Sequence, residues 1–170
     1  MARNSLSNSP TYLRGLLSLL VLVVLWLVPY LEKRRQARMN TINEIGKQVY
    51  LYLLELGFSL NMARFITAQA AHETGNFNST IFKENNNLFG MKLPAIRQTT
   101  ATGEKRGHAT YNTIEDSIKD FKIYYEVRKY LFNYSSIDTY VKDLKAKNYF
   151  EASEQDYKEG VKHFYNLYFT

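Results

Sequence analysis

The chain has 170 residues, enough for one domain with a substantial core and short for two. It has no cysteine, which excludes disulfides, thiolate–metal sites and a cysteine nucleophile; its three histidines (His72, His108, His163) show no ligand spacing, so no metal and no cofactor are expected. The net charge of +6 is uneven: residues 1–39 carry +5 and residues 40–170 only +1, without the basic stripe that nucleic-acid binding needs.

In chain order, residues 1–14 form an N-terminal tail. Residues 15–31 are an uncharged apolar run, slightly short of the roughly 20 residues of a membrane span but within the usual range. Trp26 and Tyr30 sit near its end, where interfacial aromatics are favoured. A cleaved signal peptide and an uncleaved anchor compete here. No small-x-small site follows the run, which favours a single transmembrane helix left in place. Charge is heavier after the run, in Lys33-Arg34-Arg35, than before it. By the positive-inside tendency this would turn the rest of the chain toward the cytoplasm. Residues 32–40 read as a charged linker.

The domain then spans residues 41–170. Thr41-Ile42-Asn43-Glu44 is a capping-box pattern opening a helix, with Ile42, Ile45, Val49, Leu53 and Leu56 at helical spacing and Gly57 as its stop. A second helix is expected from about Leu60 to His72, with Gly75 where a left-handed C-terminal cap would sit. Residues 92–112 contain Pro94, a Thr-rich run, Gly103 and Gly107, and read as a strand-and-turn excursion. Thr113 restarts a helix with Ile114, Ile118, Phe121 and Tyr125 on one face. Ile137, Tyr140, Val141 and Leu144 mark a short helix. Ser153 to Asp156 cap a last one, whose stripe is Tyr157, Val161, Phe164 and Tyr168. The expected fold class is mainly α (α+β), a helical domain with a small β-hairpin lobe.

The chemistry concentrates in Ala68-Gln69-Ala70-Ala71-His72-Glu73-Thr74-Gly75 and in Asn86-Asn87-Leu88-Phe89-Gly90-Met91-Lys92. A carboxylate at a helix end, after small and apolar residues, is partly desolvated, which raises its pKa. The negative end of the helix dipole pushes the same way. A carboxyl held protonated near neutral pH suits a general acid in glycoside cleavage. The ordinary alternative is a solvated helix-end glutamate, and the residues taken alone favour it. His72 points about 100° away from Glu73 around a helix and reads as structural.

These two blocks resemble the signatures of the bacterial endo-β-N-acetylglucosaminidase (glucosaminidase) family of the lysozyme-like superfamily. That family usually has Gln-Ala-x-x-Glu-Ser-Gly and Asn-Asn-Leu-Phe-Gly-Ile-Lys; here Thr74 replaces the serine and Met91 the isoleucine. The likeness extends through Glu115 to Phe121, Asn148-Tyr149-Phe150 and Asp156-Tyr157, and so covers nearly all of residues 41–170. It implies a lysozyme-like domain that hydrolyses the β-1,4 bond after N-acetylglucosamine in peptidoglycan strands, with Glu73 as catalytic acid. A second carboxylate is then expected in the β-lobe, and Glu104 is the candidate. As a base on water it would give inversion, with the carboxyls roughly 6.5–9.5 Å apart; if the substrate's own N-acetyl group assists, Glu104 is dispensable. Phe89 and Tyr149 match positions lining the sugar groove, and Phe77 and Asn87 are weaker substrate-binding candidates. Asn87 also suits a turn-holding role.

Two other functions compete: a non-catalytic glycan-binding or scaffold protein that keeps the fold, and a lytic transglycosylase-like activity. The expected partners are peptidoglycan glycan strands and a membrane, reached through residues 15–31. The expected protein is a monomer anchored by a single pass, with its domain on the cell-wall side.

Overall fold

A computed structural model describes residues 10–39 and 43–170 of the chain. The chain divides into two compact units, Met1–Asn40 and Thr41–Thr170.

The first unit carries one helix, α1 (Pro10–Met39), which includes Pro29 in its interior. Leu16 and the large apolar side chains from Leu19 to Leu31 are exposed. Consecutive residues point in every direction around a helix, so no side of this stretch is polar. Trp26 and Tyr30 stack with ring centroids 5.3 Å apart. The segment expected as a linker is helical through Met39, because residues 32–39 are mostly good helix formers without Gly or Pro. Among the described residues, no helix is long and apolar enough to cross a membrane. The transmembrane helix expected over residues 15–31 is therefore corrected to an exposed apolar helix. The uncharged run of residues 15–31 covers about 26 Å of helix axis against a hydrocarbon core of about 30 Å.

The second unit is mainly helical with a small two-stranded antiparallel sheet. Its elements are α2 (Glu44–Glu55), α3 (Leu60–Glu73), α4 (Thr80–Asn85), β1 (Gly103–Lys105), β2 (His108–Thr110), α5 (Ile114–Val127), α6 (Ile137–Ala146) and α7 (Glu154–Phe169). Each helix opens on a side-chain oxygen that accepts a backbone N–H three residues on: Asn43, Ser59, Ser79, Thr113, Ser136 and Ser153. Thr41 and Ile42 of the expected capping box lie outside the described residues, and Asn43 is the cap instead.

Helix α3 is the centre of the domain. From Met62 to Ala71 only Arg64 escapes burial. Its alanines let neighbouring helices approach closely, and it packs on α7 and α2. The two helices come close at Gly160 of α7, where a Cβ would fall 2.2 Å from the His72 ring. Helix α6 packs on α7 and α5 on α2. Val49, Leu53, Ile66, Leu88, Ile118, Phe121, Leu144 and Val161 fill the space between them.

The β hairpin pairs Gly103 with Thr110, Glu104 with Ala109 and Lys105 with His108. Arg106 and Gly107 turn it, both at positive φ (57° and 73°), the arrangement a two-residue hairpin loop prefers. The strands are shorter than the expected excursion over 92–112. In residues 94–100, side-chain bonds replace a ladder. Arg97 forms a two-pronged pair with Asp120 at 2.8 and 2.7 Å. The Thr100 N–H also donates to Asp120, and the Thr100 hydroxyl to the Asp116 carbonyl.

Candidate active site

Glu73 is the last residue of α3, and the turn after it is built in layers. Gly75 is left-handed at φ 56°, with its N–H on the His72 carbonyl and the Asn76 N–H on the Ala71 carbonyl. This is a Schellman stop. Thr74 is buried; its hydroxyl donates to the Ala70 carbonyl at 2.6 Å and accepts the Phe77 N–H at 2.9 Å. A serine hydroxyl could make both bonds, which is why Thr74 is a mild departure from the family block. Asn76 (φ 58°) and Phe77 (φ 60°) continue the left-handed run, a conformation costing an ordinary residue about 1–2 kcal/mol. Asn76 is held there by the Tyr168 hydroxyl and the Asn43 side-chain amide.

The Glu73 carboxyl is half-buried. The Tyr157 hydroxyl, arriving on α7 from 84 residues away, donates to its Oε1 at 2.5 Å. The other oxygen, Oε2, faces Gly90: a Cβ at that glycine would stand 3.9 Å from it. Gly90 is exposed and left-handed at φ 62°. One carboxyl oxygen is thus held and the other is turned toward a bare stretch of backbone. Burial pushes the Glu73 carboxyl up, against the smaller downward pull of the Tyr157 bond. The Tyr149 and Tyr157 hydroxyls are pushed well above the usual tyrosine range, first by burial and then by the Glu73 charge. They stay protonated and act as donors. The Tyr157 ring is fixed in turn, stacked on Phe150 at 3.7 Å and edge-on to His72 at 5.0 Å. Burial lowers the His72 pKa, consistent with a neutral packing role.

Tyr157→Phe should lower kcat/KM by about 10–100-fold, the effect of one hydrogen bond to a charged group. It should also move the alkaline limb of the pH–rate profile upward, because a bond that favours the carboxylate is lost. A pH–rate series tests this; a limb that does not move would reduce Tyr157 to packing.

Tyr149 reaches the same region. It is half-buried, its ring lies 6.5 Å from that of Tyr157, and its hydroxyl donates to the Phe89 carbonyl at 2.9 Å. The chain turns into this position because Asn148 is left-handed after α6, with the Tyr149 N–H on the Leu144 carbonyl.

The other expected contacts are placed differently. Phe89, Phe77 and Asn87 are 3, 4 and 1 % exposed. Phe89 stacks on Phe121 at 4.0 Å, and Phe77 packs edge-on to Phe82. These side chains lie in the core, and the expectation that they present a face to a sugar is corrected accordingly. Asn87 holds its turn: its amide donates to the Met91 and Ala109 carbonyls, and its oxygen accepts the Phe89 and Met91 N–H groups. Asn85 and Asn86 extend this stitching to the hairpin and to residues 111–112. The block therefore acts through backbone shape, setting Gly90 beside Glu73.

Glu104 is exposed on β1 opposite the buried Ala109, and directly paired residues share a sheet face. The Ala109 N–H reaches the Met91 carbonyl at 2.9 Å, one residue from Gly90. Glu104 thus stands on the outer strand of the lobe whose inner edge borders Glu73. Lys105 and Arg106 of the same hairpin turn to Glu84 on α4, and the bonds from Arg106 and then Lys105 hold that carboxyl down at about 2.

Sequence reasoning missed Tyr157 as a site residue, placing it on a core stripe. The resemblance through Asp156-Tyr157 was the signal that could have raised it.

The profile of the glucosaminidase family, described as mannosyl-glycoprotein endo-beta-N-acetylglucosaminidase, matches residues 59–169. A stretch of 56 residues is 34% identical to the "Protein bax" of Escherichia coli (strain K12), covering 33% of this chain and 20% of that protein. The matched stretch thus spans about one fifth of the length of that relative. No solved structure matches. The family match takes in Glu73, Gly90, Tyr149 and Tyr157 together, and on that extent the chain belongs to the glucosaminidase family.

Proposed function

We propose that the domain hydrolyses the β-1,4 bond following N-acetylglucosamine in peptidoglycan glycan strands, with Glu73 as the proton donor. The observation that carries this reading is the division of labour in one carboxyl. Burial raises its pKa, Tyr157 holds Oε1, and Oε2 faces the side-chain-free Gly90. A proton on Oε2 passes to the leaving glycosidic oxygen as its bond to the anomeric carbon breaks. Positive charge develops at that carbon. It is met by a water that Glu104 activates, or by the substrate's own N-acetyl oxygen. Product configuration separates the two, since attack by water gives inversion and assistance by the N-acetyl group gives retention.

Muropeptide analysis of digested peptidoglycan tests the reaction. New reducing-end N-acetylglucosamine supports it. Anhydro-muramic ends would reassign the domain to transglycosylation, and binding without cleavage to a glycan-binding module.

For location, we propose that residues 15–31 hold the chain at a membrane with the domain on the cell-wall side. The run is uncharged and its large apolar side chains are exposed on all sides of α1, a surface that water does not favour. The protein should sediment with membranes and be released by detergent. Release by high salt alone would refute anchoring by an apolar segment.

A further inference from the structure

The charge of the domain is not spread evenly along it. Residues 122–147 hold six basic and three acidic side chains, a net +3, leaving −2 for the remainder of residues 40–170. Part of this surplus, Arg128 with its neighbour Lys129, lies next to a file of aromatic rings that leads away from Glu73. From Tyr157 the file passes to Tyr149 at 6.5 Å and to Tyr124 at 6.0 Å. The Arg128 guanidinium lies 5.9 Å from the Tyr124 ring and that of Arg97 5.7 Å from it. Tyr149 and Tyr124 are half-buried and Arg128 is exposed.

The two arginines differ. Arg97 is neutralised by its two-pronged pair with Asp120. Arg128 donates to the Lys147 carbonyl, and among the described residues it has no carboxylate partner. Lys129 follows it, left-handed at φ 54° in a position where glycine is usual. The ordinary explanation for cations here is that α5 and α6 both end at this point, and helix C-termini attract positive charge. That accounts for Lys147, whose ammonium pairs with Asp143 and donates to the Lys129 carbonyl. Arg128 serves the same helix ends through its bond to the Lys147 carbonyl, but its charge, beside the Tyr124 ring, has no carboxylate partner among the described residues.

We propose that Tyr149, Tyr124 and Arg128, with Lys129 beside them, form an anion-reading arm leading from Glu73 that takes the free carboxylate of a peptide substituent on the glycan strand. Tyrosine faces accept the apolar faces of sugars, and a guanidinium pairs with a carboxylate through two parallel hydrogen bonds. The arm begins at Tyr157 and ends three ring-sized steps away, so it reads a substituent on a sugar removed from the scissile bond. It rests on the glucosaminidase reading and adds a preference for strands that still carry peptides.

The test compares peptide-bearing glycan strands with the same strands stripped of peptide by an amidase, the lactyl carboxylates that this cut exposes being then capped as amides. A third sample is wall material freed of phosphate polymers. Wild-type enzyme should favour peptide-bearing over stripped strands about tenfold in kcat/KM, and the phosphate-free sample should behave as the peptide-bearing one. Arg128→Gln should bring the ratio to within about twofold of unity, and Arg128→Lys should restore part of it. Lys122→Gln removes an equal charge from the same helix, where it pairs with Glu126, and should leave the ratio unchanged.

Equal wild-type rates on both strands, or an equal loss in Lys122→Gln, would overturn the arm. Loss of the preference on phosphate-free material would reassign it to polymer phosphate and overturn the carboxylate. If no strand is cleaved, the hydrolase reading fails by itself. Cosedimentation of the two strand types with the protein then still reads the preference.

Discussion

Glu73→Gln should abolish glycan cleavage while leaving the domain folded. The loss expected for a single proton donor is about 10²–10⁴-fold in kcat. Glutamine keeps the shape of the side chain, and its oxygen can still accept the Tyr157 hydroxyl, so the turn at Thr74–Phe77 has no reason to move. Stability should change in the opposite sense to activity. The folded protein raises the Glu73 pKa by burial, so it keeps that proton to a higher pH than the unfolded chain does. The contribution of this group to stability is therefore fully present at acid pH, and it falls as pH rises from the usual glutamate range through the raised value. Glutamine removes that loss. Urea midpoints across pH should show the variant gaining on the wild type as pH rises, while reducing-end assays show its activity gone. Full turnover in the variant would end the assignment of Glu73 as the acid.

Asp120→Ala should produce the largest loss of stability. Asp120 is fully buried on α5 and gathers four donor groups: both prongs of Arg97, the Tyr111 hydroxyl at 2.9 Å and the Thr100 N–H. Removing it leaves a guanidinium only 12% exposed and the Tyr111 hydroxyl without their acceptor. Breaking one side of a buried pair typically costs about 3–5 kcal/mol, a large share of the roughly 5–15 kcal/mol that holds a domain together. Thermal unfolding should show a fall of about 10–20 °C. Arg97→Met together with Asp120→Leu should recover much of it, because two apolar groups leave no charge stranded. Burial pushes the Asp120 carboxyl up, yet the bonds from Arg97, Thr99 and Tyr111 together bring it below the usual aspartate range. Its stabilisation is therefore present above the ordinary aspartate pKa and is lost as pH falls through the depressed value. A drop of only one or two degrees in Asp120→Ala would show that the loop over 94–100 does not depend on the pair.

What was legible in the sequence was whatever is encoded locally. The caps at Thr113 and Ser153 and the stops at Gly57 and Gly75 each use groups within a few residues of one another, so α2, α3, α5 and α7 could be read to within a few positions. Glu73 was legible as a helix-end carboxyl inside a motif block, and the turn-holding capacity of Asn87 followed from its side-chain chemistry. Helix α4 has only six residues, too few to show a period.

The remainder depended on partners distant along the chain. Tyr157 looks like any buried tyrosine on a helical stripe until α7 is laid across α3. Asp120 occupies a helix position where solvation is the usual expectation, and its partner comes from an irregular loop. Phe89 shows a different limit, because a motif marks a position without saying whether the side chain or the backbone does the work. Here the side chain enters the core and the backbone beside it shapes the site.

The contact between Gly160 and His72 has a consequence for how the protein would fail. The seat of α7 on α3 is set by that missing side chain, and Tyr157 stands on α7 less than one turn before it. If α7 alone lifted away, α3 and its C-terminal stop would keep their own hydrogen bonds. Glu73 would nevertheless lose the hydroxyl that orients it and gain water, and its pKa would return toward that of a free carboxyl. Proteins open in such sub-global units below the free energy of complete unfolding. Activity that depends on Glu73 would then lapse with the undocking of that one helix while the rest of the molecule still looked native.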